Sequence, residues 1–524
     1  MNGYAPSRLS LSREEKLLLI EEKSLSDVES EGGRSDMEAR FSTQQWYKRI
    51  GVYSRGPRLS SWASTLLRLG IFLLPSFVSQ KLTHERTRSD RVGPTAYLDG
   101  LRGLAALFVF FCHFFYTAFS IADGFGKDGG NYIFWKLPFI RLLFSGPTMV
   151  CLFFVISGYA LSLKAIKQIR SRSLDGFATT MSSFVFRRAF RLFLPTAIST
   201  FMVVILLQLG AYEATRDFAN DPNFVRGVIE THPLQAYTLN WQLWHWAWEM
   251  FDFVHVWGWE AFGGSTMYDV HLWTIPVEYR CSMMLFLVLF GLARVRTGVR
   301  FTCVAGLMWY CLRNDRWEMV LFLAGMALAE MDVIRGAHNP PPQVQSPTSP
   351  ILPFDEKSIP RSRNSKGLVW ILLSIPALYL MSEPDLGTEG VPGWQFLGSM
   401  IPEYFTEKYR FWQIWGSILF VFCVARSPPW QSAFNTSFVQ YFGHISYAIY
   451  LMHGPVMHTA GFMIEKWAWS ITGTEGSAYT RGFFLAAVFN IPLVIWAADV
   501  FWRAVDAPTV KFSRWIESKC LMRE

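Results

Sequence analysis

Apolar residues in this chain gather in long unbroken runs, with charged residues pushed to their ends. Ten such stretches lie at 97–120, 144–166, 192–210, 272–294, 300–313, 317–333, 368–382, 409–426, 437–461 and 481–505. A helix needs ~20 apolar residues to cross ~30 Å of hydrocarbon, so the longer runs read as spanning helices, while the fifth, sixth and seventh are short or interrupted. None shows the period-two alternation of a barrel strand. The expected fold class is therefore all-α, a polytopic membrane helical bundle of about ten transmembrane helices. Composition agrees: 51% hydrophobic and 16% aromatic residues against 17% charged exceed what a soluble chain of 524 residues carries.

Positive charge gives the orientation, because short cytoplasmic connections are rich in Lys and Arg. The connection 164–191 holds Lys164, Lys167, Arg170, Arg172, Arg187, Arg188 and Arg191 against one acid, Asp175. The next, 211–271, holds eight acids and only Arg216 and Arg226. An inside N-terminus and ten crossings place the first connection in the cytosol and the second outside. They also return the basic tail, with Lys511, Arg514, Lys519 and Arg523, to the cytosol. Either an endomembrane or the plasma membrane suits such a multi-pass chain.

This reading divides the chain at its changes of composition. Residues 1–59 are mixed in charge and Ser-rich, lack the pattern of a cleavable signal peptide at the start, and are expected to be a disordered cytosolic tail. Residues 60–96 form an interfacial or re-entrant segment with a basic linker, since SSWASTLLRLGIFLLPSFVS contains Arg68 and Pro75 and is basic on both flanks. The membrane domain runs from 97 to 510, interrupted by a Pro/Ser-rich cytosolic loop at 337–366, and 511–524 is a basic tail.

Six of the seven cysteines fall inside the predicted helices, so neither a disulfide framework nor a zinc spacing emerges and no metal is expected. No Gly-rich phosphate loop or nucleophile elbow appears. The net charge of +8 lines the inner connections and is a topology signal rather than a nucleic-acid footprint. The Trp-rich stretch 240–260 suits a helix lying at headgroup level, or a roof over an acceptor site.

The informative stretch is YLDGLRGLAALFVFFCHFFY, residues 97–116. Arg102 and His113 stand eleven residues apart with no charge between them. At ~100° and ~1.5 Å per residue they share one helix face, about 16 Å apart along it. One is at the cytosolic mouth and the other about half a bilayer in. Arg102 could be a headgroup anchor and His113 a helix–helix hydrogen bond, yet two intramembrane ionisable groups on one stripe also suggest a polar shaft entered from the cytosol. Asp99 is placed to cap the start of that helix.

These residues resemble the first membrane helix of the acyltransferase 3 family, integral membrane O-acyltransferases marked by an Arg, ten intervening residues and a His. Four further stretches are similar to family elements in the same order: LFFVISGYALS at 152–162, FVFRRAFRLFLP at 184–195, HLWTIPVEYR at 271–280 and ISYAIYLMHGPV at 445–456. One departure is Asp506 before Pro508, where many members carry Glu. The chain is thus identified as a member, of eukaryotic, fungal type. The resemblance implies transfer of an acyl group, acetyl from acetyl-CoA, to a hydroxyl of a small-molecule, lipid or carbohydrate acceptor. The acyl-CoA acts as a donor substrate, with no permanently bound cofactor.

On that footing His113 is the expected general base, since a hydroxyl is a poor nucleophile until deprotonated. Arg102, Arg188 and Arg191 are expected at the phosphates of CoA, which guanidinium forks bind bidentately. Glu278 sits in an apolar run and needs a partner: it could orient His113, contact the acceptor, or form a buried ion pair. His453 follows Tyr450 by one turn and is a further catalytic candidate, with packing the alternative for both. Ser157 and Gly158 suit close helix packing. A transporter would also explain ten helices with a polar stripe, but no inverted repeat of broken helices is evident.

Overall fold

The computed structural model describes residues 61–82, 93–258, 264–337 and 363–521. The expected tail 1–59 lies outside them, as does nearly all of the loop 337–366. By its internal contacts the chain divides into two units, one of Met1–Leu73 with Ser79–Thr95 and one of Leu74–Val78 with Ala96–Glu524. In the first, helix α1 (Ser61–Leu73) is described; α2 (Ser76–Leu82) follows after a break at Pro75. At 13 and 7 residues, neither is long enough to cross a bilayer core of ~30 Å.

The large unit is all-helical among its described residues, with only two isolated β-bridges. All ten apolar stretches fold as helix. They are α3 (Ala96–Ala118), α4 (Gly146–Arg170), α5 (Leu174–Gln208), then α8 (Thr274–Gly291), α9 (Thr297–Arg313), α10 (Trp317–Ile334), α11 (Arg363–Met381), α13 (Phe411–Val424), α15 (Ser437–Val456) and α17 (Ser477–Phe501). Between them lie α6 (Glu213–Ala219), α7 (Leu239–Phe253), α12 (Gln395–Ser399), α14 (Pro428–Phe434) and α16 (Phe462–Thr472), with α18 (Ala507–Cys520) at the end. Among the described residues, five helical stretches are long and apolar enough to cross a membrane: Ala96–Ala118, Gly146–Arg170, Leu174–Gln208, Val270–Gly291 and Ser477–Cys520.

The basic connection expected at 164–191 is mostly helix. α4 runs to Arg170 and α5 starts at Leu174, so the turn is only three residues and Arg187, Arg188 and Arg191 project from α5 itself. The charges that marked a connection instead decorate the polar end of a 35-residue helix. Likewise α3 begins at Ala96, which puts Asp99 inside its first turn, where it pairs with Arg102 at 3.1 Å rather than capping the helix.

Burial explains the packing. α3 lies against α15 and α4, α4 against α10, and α17 against α15 and α16, around a core including Phe110, Phe114, Phe154, Tyr159, Phe322 and Phe483. A β-carbon on Gly158 would collide with the backbone of Phe322, so Gly158 is what lets α4 approach α10. Several of the charges that remain inside are paired. Arg300 grips Glu330 with two nitrogens, and Arg426 meets Asp332 at 3.2 Å, as burial of a charge requires. The segment Leu74–Val78 is tied to α17 and the turn after it, with the Ser76 N–H donating to Asp499 at 2.7 Å and Arg503 to the Leu74 carbonyl at 2.8 Å.

Candidate active site

Arg102, Arg187, Arg188, Arg191, Ser157 and Glu278 line a single cavity of about 230 Å³. α3 contributes Arg102, α4 Ser157, α5 the other arginines and α8 Glu278, so the three residues expected at the donor phosphates share one chamber with Glu278. Apolar Ile156, Leu161 and Phe184 complete its wall. Glu278 has found its partner there. Its Oε1 accepts from Arg188 Nη2 at 2.6 Å and from the Ser157 hydroxyl at 3.1 Å, while Arg188 Nε donates to Ser282 at 3.0 Å. The carboxylate that could have oriented His113 thus holds Arg188, and Ser157 serves the cavity rather than helix packing alone. Arg102 Nε donates to Ser446 on α15 at 3.2 Å.

Eleven residues further along α3, about 16 Å by helix geometry, His113 enters a second polar cluster. Its ring lies 4.1 Å from that of His271 and 5.2 Å from that of His453, centre to centre; His271 and His453 are 4.7 Å apart. His113 Nδ1 faces the Tyr116 hydroxyl at 2.7 Å and Glu230 Oε1 at 3.5 Å. His453 is fully buried, and its Nδ1–H donates to the Ile449 carbonyl at 3.1 Å. In the neutral ring that leaves Nε2 as a bare lone pair, and it has no hydrogen-bond partner.

The cluster is organised by two carboxylates the sequence reading did not single out. Asp269 caps the short 3₁₀ turn Val270–Trp273, accepting from the His271 N–H at 3.0 Å and facing its Nδ1 at 2.7 Å. Glu230, from the connection between α6 and α7, reaches His271 Nε2 at 2.6 Å and His458 Nε2 at 2.5 Å. Burial alone would raise the Glu230 carboxyl, but the charge on His271 and the hydrogen bonds of His113, His271 and His458 outweigh it. They hold it well below the usual carboxylate range. His232 stacks on His458 with ring centres 5.3 Å apart, and burial, then the neighbouring His458, pushes it down to about 4. Tyr450, for its part, donates to the His271 carbonyl and accepts from Thr274 at 2.7 Å.

Two triplets here are of a size to hold a metal ion, His113 with His271 and His453, and Glu230 with His271 and His458, their atoms within 4.8 Å of one another. His271 belongs to both, and its two ring nitrogens are already taken by Asp269 and Glu230. Glu230, His271, Asp269 and His458 are thus joined in a hydrogen-bonded network, while His453 Nε2 stands beside it without a partner. Gly454 lets α15 press onto it: a β-carbon there would stand 2.7 Å from His271 Nδ1 and 2.9 Å from both Asp269 oxygens.

Five of the ten histidines, His113, His232, His271, His453 and His458, thus meet in one place. His271 stood inside the quoted HLWTIPVEYR, at the head of an apolar run, and an ionisable group there was the available signal. Glu230 lies in a polar connection with no periodicity, where nothing distinguishes it from the other acids.

Residues 95–503 match a family described as an acyltransferase domain. The chain is 32% identical over 475 residues to the O-acetyltransferase PaAT-1 of Phomopsis amygdali, covering 87% of this chain and 90% of the relative. It is 25% identical over 469 residues to the acyltransferase clz18 of Cochliobolus lunatus, covering 80% and 94%. It is also 25% identical over 463 residues to the acyltransferase R4 of a Phoma species, again 80% and 94%. No solved structure matches it.

Proposed function

The chain belongs to the acyltransferase 3 family and is an acyltransferase, and from that premise we propose that it carries acetyl from acetyl-CoA to a hydroxyl of its acceptor. The name of the Phomopsis relative supports O-acetyl transfer. We read the chain as multi-pass, its ten helices crossing an endomembrane or the plasma membrane with both termini cytosolic. The observation that carries the reading is the distribution of charge along α3. One end of its polar face opens on a cavity of four arginines, and the other meets a buried cluster of imidazoles.

In this mechanism the anionic end of acetyl-CoA lies in the cavity, its phosphates on Arg102, Arg188 and Arg191, with Glu278 holding Arg188 in place. The pantetheine arm follows α3 toward His113. There Nε2 removes the proton of the acceptor hydroxyl while Nδ1 stays on Tyr116 and Glu230. The oxygen attacks the thioester carbonyl, the carbon–sulfur bond breaks, and the protonated His113 returns its proton to the departing thiolate. Acetyl ester and free CoA are the products, with no net proton released. His453 Nε2, bare and buried, accepts a hydrogen bond from the acceptor and orients it. General-base removal is worth typically ~10² to 10⁴ in rate.

The test is acetyl-CoA consumption by purified protein against a pool of hydroxylated small molecules, with product masses recorded. Wild type should give products heavier by one acetyl group, and His113→Ala should lose turnover by ~10²-fold or more while still binding acetyl-CoA. Turnover that survives in His113→Ala refutes the assignment of the base. A folded wild type that neither binds nor consumes acetyl-CoA refutes the donor and brings a transporter forward.

A further inference from the structure

We propose that Glu230 is a positioning residue for the base, the third member of an acceptor–His113–Glu230 alignment that supports the imidazolium formed during transfer; this rests on the reading of His113 as base. The burial of Glu230 and the contacts of its two oxygens carry it. Glu230 is buried, with its side chain 4% exposed, and its Oε1 is the carboxylate oxygen that reaches His113 Nδ1, at 3.5 Å. Nδ1 is the nitrogen opposite the one that must face the acceptor, so a proton gained at Nε2 leaves an N–H at Nδ1 in need of an anionic acceptor. Contacts of this length in a substrate-free site shorten when the charged intermediate forms. Finally, Glu230 is itself fixed at both oxygens, by His271 at 2.6 Å and His458 at 2.5 Å, so it cannot swing away.

The neighbours of His113 define what removing Glu230 does. From α3 itself comes Tyr116, a hydrogen-bond partner without charge. From the turn before α8 come His271, whose charge repels a proton on His113, and Asp269 behind it, which attracts one. From α15 comes His453, with His458 beyond it on the far side of Glu230. Of the two carboxylates, Glu230 is the one in reach of the ring. Its replacement therefore removes the main attraction for the catalytic proton, while Asp269 stays on His271.

The experiment is a pH profile of kcat/KM for acetyl transfer with full-length wild type, Glu230→Gln, Glu230→Asp, His458→Gln and His113→Ala. In Glu230→Gln the base should lose its proton at lower pH, so the acid limb moves down by about one unit. Its kcat falls on the order of 10²-fold while KM for acetyl-CoA is unchanged, because the donor cavity is untouched. Glu230→Asp keeps the charge and should return the limb to its wild-type position with part of the rate, which also covers failure of Glu230→Gln to fold. His458→Gln cuts the other arm of Glu230 without touching His113 and should lower Tm while leaving the limb in place. The proposal is overturned if Glu230→Gln keeps the wild-type limb and kcat, or if His458→Gln reproduces its profile, since Glu230 would then merely tie its loop down. Turnover surviving in His113→Ala overturns the base assignment and this inference together, and is recognised separately by that variant.

Discussion

Arg188→Ala separates the two jobs that the proposed mechanism gives to one guanidinium. Arg188 faces the cavity and holds Glu278 at 2.6 Å, with side-chain exposures of 11% and 23% for the pair. A charge-assisted hydrogen bond to a phosphate contributes ~1.5–3 kcal/mol, and ~1.4 kcal/mol is tenfold in affinity. Because Arg188 is shared with Glu278 before the donor arrives, the lower end applies, and Arg188→Ala should weaken acetyl-CoA binding by about tenfold. The same change strands a half-buried carboxylate, which should cost ~1–2 kcal/mol of stability. The double variant Arg188→Ala/Glu278→Gln resolves the two, as the neutral amide no longer needs a cation. Binding of acetyl-CoA by titration calorimetry in lipid nanodiscs, paired with Tm, is the assay. The double variant should regain the wild-type Tm and still bind weakly. If it regains both, Arg188 exists only to neutralise Glu278, and the assignment of this cavity to the donor phosphates is refuted.

Two further outcomes follow from the imidazole cluster. Gly454→Ala should displace the Asp269–His271 pair, because its β-carbon would sit under 3.0 Å from three polar atoms; kcat should fall at least tenfold with acetyl-CoA affinity unchanged, read by kinetics beside direct binding. His232 titrates at about 4 folded against 6.5 in the open chain. The unfolded chain therefore binds the extra proton between those values, so stability should rise as pH climbs from about 4 to 6.5 and level off above, by up to ~3 kcal/mol. His232→Gln should flatten that window in Tm measured against pH; an unchanged slope places the titration elsewhere.

How much of this was legible beforehand depends on the kind of information each residue carries. The helices were, because solvent sets them locally: within a long apolar stretch in lipid, a run such as LFFVISGYALS satisfies its backbone hydrogen bonds as helix. The shared face of Arg102 and His113 was legible for the same reason, being arithmetic within one helix. The ends of α4 and α5 were not, since Arg187, Arg188 and Arg191 look like a charged connection until α18 and α8 supply the partners, with Glu517 at 3.1 Å from Arg187, that let a helix carry them.

The site's second half was illegible for a stricter reason. Glu230 lies 117 residues from His113 and 41 from His271 in sequence, so no spacing rule connects them. A carboxylate in a polar connection looks solvated until the fold buries it. Burial then reverses its meaning: an acid surrounded by imidazoles and stripped of water must be paired at both oxygens, and the groups that pair it become, by that requirement, fixed in place. The same closeness explains why Gly454 carries no side chain, whereas the Nε2 of its neighbour His453 is left unpaired. α15 must come close enough to close the cluster, and in the proposed mechanism the unpaired His453 Nε2 is where the incoming hydroxyl is placed. His453→Phe tests that step: the ring is kept in size but loses Nε2, so KM for the acceptor should rise about tenfold with acetyl-CoA binding unchanged. An acceptor KM equal to wild type would mean that the bare nitrogen faces no substrate.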